Sequence, residues 1–127
     1  MRQKQILYLA TIILMIFFGC KKSSTSPDLA TPSSGTYSGT WVVVGTGSTY
    51  GTVQVVKVSN TSVNLIMTAG GTNLPTIPGA KLTDAGSGTK NVSYTDSSGT
   101  LTGTITGNTI SITLVAGSIQ ETFTGTK

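Results

Sequence analysis

The sequence predicts an all-β domain, a small antiparallel up-and-down β-barrel of about eight strands, behind a short apolar leader and a polar tether. Three observations carry this. Apolar residues alternate with threonine and serine at period two through most of residues 36–127. Turn-forming clusters ("GTGSTYG", "SNTS", "TAGG", "DAGSG", "DSSG", "TGN", "AGS") break the alternation at the spacing of small sandwiches and barrels. No stretch of this region combines helical periodicity with helix caps. A meander of this kind has two edges unless it closes, and open edges in a chain so rich in Thr and Val invite aggregation. Closure favours the barrel. An open or flattened sandwich is the alternative.

The elements follow in order. "TYSGTWVVV" places Tyr37, Gly39, Trp41 and Val43 on one face of a first strand. In "TVQVVKV" the alternation slips between Val55 and Val56, which implies a bulge or a strand covered on both faces. "SVNLIMT" turns Val63, Leu65 and Met67 inward. "GGTNLPTIPGAKL" is the weakest region, because Pro75 and Pro78 cannot donate ladder hydrogen bonds; it reads as a loop or an edge strand. "TLTGTIT" aligns Leu101, Gly103 and Ile105, and "NTISITL" aligns Ile110, Ile112 and Leu114. Gly107-Asn108 between them suits a tight hairpin, since both residues tolerate positive φ. "SIQETFTG" puts Ile119, Glu121 and Phe123 on the inward face.

The start of the chain has a different character. Arg2 and Lys4 precede an apolar run from Ile6 to Phe18. As a helix that run is about 20 Å long, short of the ~30 Å bilayer core. A positive start, a short apolar centre and small residues at its end make a secretory signal peptide. The lone cysteine, Cys20, follows directly, and "KKSSTSPDLATPSSG" after it is too polar to bury much surface. The chain therefore divides into a leader (1–19), a flexible tether beginning at Cys20 (20–35) and the β domain (36–127). Lys21 and Lys22 sit where anionic headgroups would be, though a merely solvated tether fits equally well.

Phe17-Phe18-Gly19-Cys20 resembles the lipobox of bacterial lipoproteins, with Phe17 where Leu is usual. The resemblance implies cleavage after Gly19, a diacylglycerol on the Cys20 sulfur and membrane anchoring through it. Two acyl chains suffice for stable anchoring where one is marginal. It also implies a bacterial envelope location. In Bacteroidota lipoproteins acidic residues near the cysteine tend to accompany surface export, so the resemblance, with no acidic run after Cys20, implies an outer-membrane anchor facing the periplasm.

Gly39-Thr40-Trp41 at the start of the first strand resembles the Gly-x-Trp signature of lipocalin-like (calycin) barrels, which also occur behind lipoprotein leaders in Bacteroidota. This domain is shorter than a standard lipocalin and shows no C-terminal helix. The resemblance implies that Trp41 closes the barrel floor and that the interior carries a small apolar ligand. An ordinary core role for Trp41 is the competing reading. The candidate ligand-contacting residues are Tyr37, Trp41, Met67, Glu121 and Phe123.

Composition narrows the chemistry. The chain has no histidine, which removes the usual general base and the commonest metal ligand. The lipobox resemblance commits Cys20 to lipid, so neither thiol catalysis nor a thiolate metal site is expected. Asp84 and Asp96 open turn sequences and read as turn formers. Glu121 is different. On an inward face its carboxylate needs a partner, water or a raised pKa, while at an edge it would be wet, near Lys57. The net charge is +4, and losing Arg2 and Lys4 with the leader leaves +2. The remaining lysines are scattered, so no nucleic-acid partner is expected. The sequence thus points to a non-enzymatic envelope lipoprotein without cofactor or metal. Its barrel either holds a small apolar or amphipathic ligand or forms a packed module that contacts an envelope protein as inhibitor, interaction or structural subunit.

Overall fold

The structure, a computed structural model, describes residues 27–127. Gly19, Cys20 and the leader lie outside the described residues. A one-turn helix α1 (Ala30–Ser33) precedes nine strands: β1 (Gly35–Val43), β2 (Gly47–Ser59), β3 (Ser62–Ala69), β4 (Thr72–Asn73), β5 (Ile77–Gly86), β6 (Thr89–Thr95), β7 (Thr100–Thr106), β8 (Thr109–Ala116) and β9 (Ile119–Thr126). Eight of them form a closed antiparallel barrel in sequential order, with β2 bonded to β3 and β9 returning to β1. The barrel is the expected architecture, and the sandwich alternative is not adopted. The ladder between β1 and β9 runs from Ser38↔Thr126 to Val43↔Glu121. Closure satisfies backbone groups that a meander would leave open on both edges.

The ninth strand, β4, explains the proline-rich region. It pairs with β3 through Thr68↔Asn73 and Ala69↔Thr72, and β5 takes over the same flank of β3 at Leu65↔Ile77. Pro75 falls in the gap between them, where no ladder bond is needed. Pro78 and Gly79 occupy an irregularity in the β3–β5 register between Val63 and Leu65. Gly79 has φ +66 and donates its N–H to Asn64 Oδ1 at 2.9 Å. The loop-or-edge reading therefore holds: Leu74, Pro75 and Thr76 form a short loop, and the segments on either side of it pair with β3 alone. These segments cover one side of β3 in relay.

The interior follows the alternation. Tyr37, Val53, Val63, Leu65, Leu101, Ile105, Ile110 and Phe123 are completely buried, and Trp41, Met67 and Ile112 nearly so. The slip at Val55 and Val56 is neither a bulge nor a doubly covered strand. β2 pairs regularly with β3 through that point and shifts register only between Lys57 and Ser59. Val56 and Val58 simply face outward and are exposed. The Gly107-Asn108 turn joins β7 to β8 as expected, with Gly107 at φ +56.

Three inward glycines lie in register across neighbouring strands: Gly51 on β2, Gly39 on β1 and Gly125 on β9. Large rings occupy the room left by Gly51 and Gly125, and the β9 backbone passes close over Gly39. A Cβ on Gly51 would collide with the Trp41 indole and the Thr68 carbonyl, and one on Gly125 would come within 2.6 Å of Phe123 Cζ. The Trp41 and Phe123 rings are tilted against each other, centroids 5.0 Å apart, a favourable aromatic geometry.

One barrel end is closed by the segment read as tether. Leu29 and Ala30 donate backbone N–H groups to the Asn60 carbonyl at 2.8 and 3.1 Å, and Ala30 and Ser33 are fully buried. Tyr37 donates its hydroxyl to the Ser33 carbonyl at 2.8 Å. The part of the expected tether that the structure describes is ordered from Asp28 onward. Leu29 and Ala30 supply just enough apolar surface to plug the barrel end. This closed end is where Trp41 was expected. Trp41 lies instead near the other end of β1, and α1 with Tyr37 forms the floor.

Candidate functional site

The opposite end is open. It collects the β1–β2, β3–β4, β6–β7 and β8–β9 connections, and the barrel wall there encloses a cavity of about 350 Å³. Its inner wall comes from Met67 on β3, Tyr94 on β6, Leu101 on β7, and Leu114 and Glu121 on β8 and β9. Leu74, Pro75 and Ile119 form part of the rim. The pairings Tyr94↔Leu101, Leu101↔Leu114 and Leu114↔Glu121 place four of these side chains in one continuous row around the wall. The lining is almost entirely apolar, and exposed rim residues such as Ile119 open it to solvent.

The five candidate ligand residues separate. Met67 and Glu121 line the cavity. Tyr37, Trp41 and Phe123 do not; they fill the packed part of the interior. Trp41 donates its indole N–H to the Thr68 carbonyl at 2.9 Å, and Tyr37 belongs to the plug, where burial raises its hydroxyl pKa. Ile119, expected inward beside Glu121 and Phe123, is 55% exposed because β9 begins at the rim.

The polar groups of the mouth are few. Asp96 is the turn former expected: its Oδ1 accepts the N–H groups of Ser98 at 2.7 Å and Gly99 at 3.1 Å. Its Oδ2 also accepts the Tyr94 hydroxyl at 3.1 Å. These bonds, the Ser98 N–H foremost, hold the carboxyl below the usual range. Glu121 is half-buried, and no hydrogen bond or ion pair reaches its carboxylate among the described residues. Lys57, the partner considered for it, lies at the other end of the barrel and pairs with Asp28 at 2.8 Å. Among the described residues no three His, Cys, Asp or Glu side chains come together as a metal site.

Charge is distributed along the barrel axis. Lys127 donates to the Pro32 and Ser34 carbonyls at 2.8 and 2.7 Å and lies 5.2 Å over the Tyr37 ring, at the plug. Lys90 is in register with Asp84, and Lys81 with Ser62, in the plug-side half. All four lysines of the described domain therefore lie away from the mouth, whose two ionisable carboxylates are Asp96 and Glu121.

Tyr94, Leu101, Leu114 and Leu74 also line the cavity and are not among the candidates. The alternation of Leu101 and Leu114 was legible, but periodicity marks an inward side without saying whether a position is filled or hollow. Tyr94 had a signal of its own: Val92 and Tyr94 alternate between two turn clusters and mark the strand β6.

No protein-family model matches this sequence, and no curated protein matches it. Among solved structures, the fold resembles the crystal structure of a Bacteroides fragilis NCTC 9343 protein described as a "putative outer membrane protein". The TM-score is 0.58 at 21% identity, over 81% of this chain and 54% of that one. The chain thus spans about half the length of this neighbour, and the likeness is one of fold.

Proposed function

We propose that this chain is a non-enzymatic, lipid-anchored protein of the bacterial envelope that holds a small apolar or amphipathic ligand in the open mouth of its barrel. The cavity carries the reading. At about 350 Å³ it falls at the small end of the ~300–1,000 Å³ typical of ligand pockets, with apolar walls and few polar groups. Apolar surface placed there leaves water, which contributes about 25 cal/mol per Å². The anchor rests on Phe17-Phe18-Gly19-Cys20, and the outer-membrane description of the B. fragilis neighbour supports an envelope location. We assign the anchor to the periplasmic face of the outer membrane. The non-enzymatic reading rests on the lack of histidine and on the mouth's carboxylates, one of them committed to its own turn.

A second reading, a packed module that engages an envelope protein, draws on the solid interior around Trp41 and Phe123 and on the exposed rim residues Val44 and Ile119. Methyl NMR of the full chain in phospholipid nanodiscs separates the two. Adding hexanol is expected to shift the Met67 and Leu114 methyl resonances, and Leu101→Trp, which fills the cavity, to abolish the shift. Lining methyls that stay still in the wild-type protein would leave only the packed module.

A further inference from the structure

Resting on the ligand reading above, we infer that the ligand class is an apolar body carrying a cationic ammonium head, not a fatty-acid-like anion. The cavity combines three features that suit an ammonium group. Glu121 presents a half-buried carboxylate on its wall with no partner among the described residues. Asp96 adds a second negative charge at the rim, although its oxygens already accept the Ser98, Gly99 and Tyr94 donors. Tyr94, oriented by that bond, lines the same cavity, and an aromatic face attracts cations through its quadrupole.

What the mouth lacks points the same way. A carboxylate ligand needs a cation or several donors to replace its water. Lys57, Lys81, Lys90 and Lys127 all lie in the plug-side half. An anionic head at the cavity wall would face two like charges with no lysine nearby, and in a partly desolvated site that repulsion is only weakly screened. An ammonium head in the same place gives Glu121 the partner it lacks, while the apolar body lies against Met67, Leu101 and Leu114.

The experiment compares three water-soluble probes of one chain length: hexyltrimethylammonium, hexanol and heptanoate. They are titrated into the full chain in zwitterionic nanodiscs, with empty nanodiscs as the blank, and binding is read at the Met67 and Leu114 methyl resonances. The ammonium is expected to bind at least about tenfold more tightly than the carboxylate, a gap of about 1.4 kcal/mol. Glu121→Gln should shrink that gap and Glu121→Lys reverse it, with unfolding midpoints showing that both variants fold. Equal binding of all three probes, or tighter binding of heptanoate, overturns the charge assignment and leaves the cavity reading standing. Failure of every probe to move the lining methyls overturns both.

Discussion

The Trp41 indole crosses Gly51 to reach the Thr68 carbonyl, so that a residue on β1 is bonded past β2 to β3. The crossing is possible because Gly51 has no side chain. Gly51→Ala would push a Cβ into both the indole and the carbonyl. Backbone and ring cannot both yield cheaply, and overpacking of this kind costs about 1–3 kcal/mol. Chemical denaturation should show that loss as a lower midpoint with an unchanged slope. A midpoint within error of wild type would mean that the indole has another place to go.

The same row of glycines makes Phe123 a central element of the core. Phe123 is completely buried, packs on Trp41 and lies over Gly125. Phe123→Ala should cost about 3–5 kcal/mol, because no neighbouring side chain can collapse into the space from a glycine position. Val56→Thr, on the exposed outer face of β2, should stay within about 0.5 kcal/mol. Comparing the two by thermal unfolding also tests the assignment of the doubtful Val55–Val56 pair to inside and outside.

These residues show where sequence was sufficient. Ile110, Ile112, Val63, Leu65 and Met67 were assigned inward by alternation alone, because each strand is wetted on one face only. Closure followed from the two edges a meander would expose. The plug did not follow, since Leu29 and Ala30 form no periodic pattern, and their burial depends on a barrel end existing nearby. Of the candidate ligand residues, Met67 and Glu121 line the cavity. Tyr37, Trp41 and Phe123 pack in the solid interior, because large aromatic rings signal an interior without signalling whether it is hollow. The glycine row that decides the matter joins three strands, and registers between strands are absent from any single segment's pattern.

The plug carries the clearest pH dependence. The Asp28 carboxyl is held well below its usual value, first by the hydrogen bond from Lys57 and then by those from the Thr31 hydroxyl and N–H. A carboxyl depressed on folding stabilises the fold fully above its unfolded pKa, near 3.9, and loses that contribution as pH falls toward its folded value. Asp28→Asn should therefore lower the thermal midpoint near neutral pH, with the gap to wild type closing below about pH 4. Added salt should narrow the gap at neutral pH, because the pair is exposed. A gap that is constant from neutral pH into strong acid would show that the carboxylate's charge contributes nothing to the plug.

The position of the plug also fixes which way the mouth would face. The described chain begins beside α1, at the closed end, and six residues lie between Cys20 and Pro27. Fully extended, that stretch reaches about 25 Å. A lipid on Cys20 would therefore hold the plug end near the bilayer, together with Lys90 and Lys127, and leave Glu121 and Ile119 at the far end. Intact mass of the membrane-extracted protein should show cleavage after Gly19 and an acylated Cys20, and Cys20→Ser should release the chain from the membrane fraction. In nanodiscs carrying paramagnetic headgroups, amides near Asn108 should broaden more than those near Ile119. Anionic lipid should sharpen that contrast by attracting the lysine-bearing end, at about 1 kcal/mol per lysine close to the surface. Equal broadening at both ends would mean that the barrel lies without preferred orientation, and an unmodified Cys20 would remove the anchor altogether.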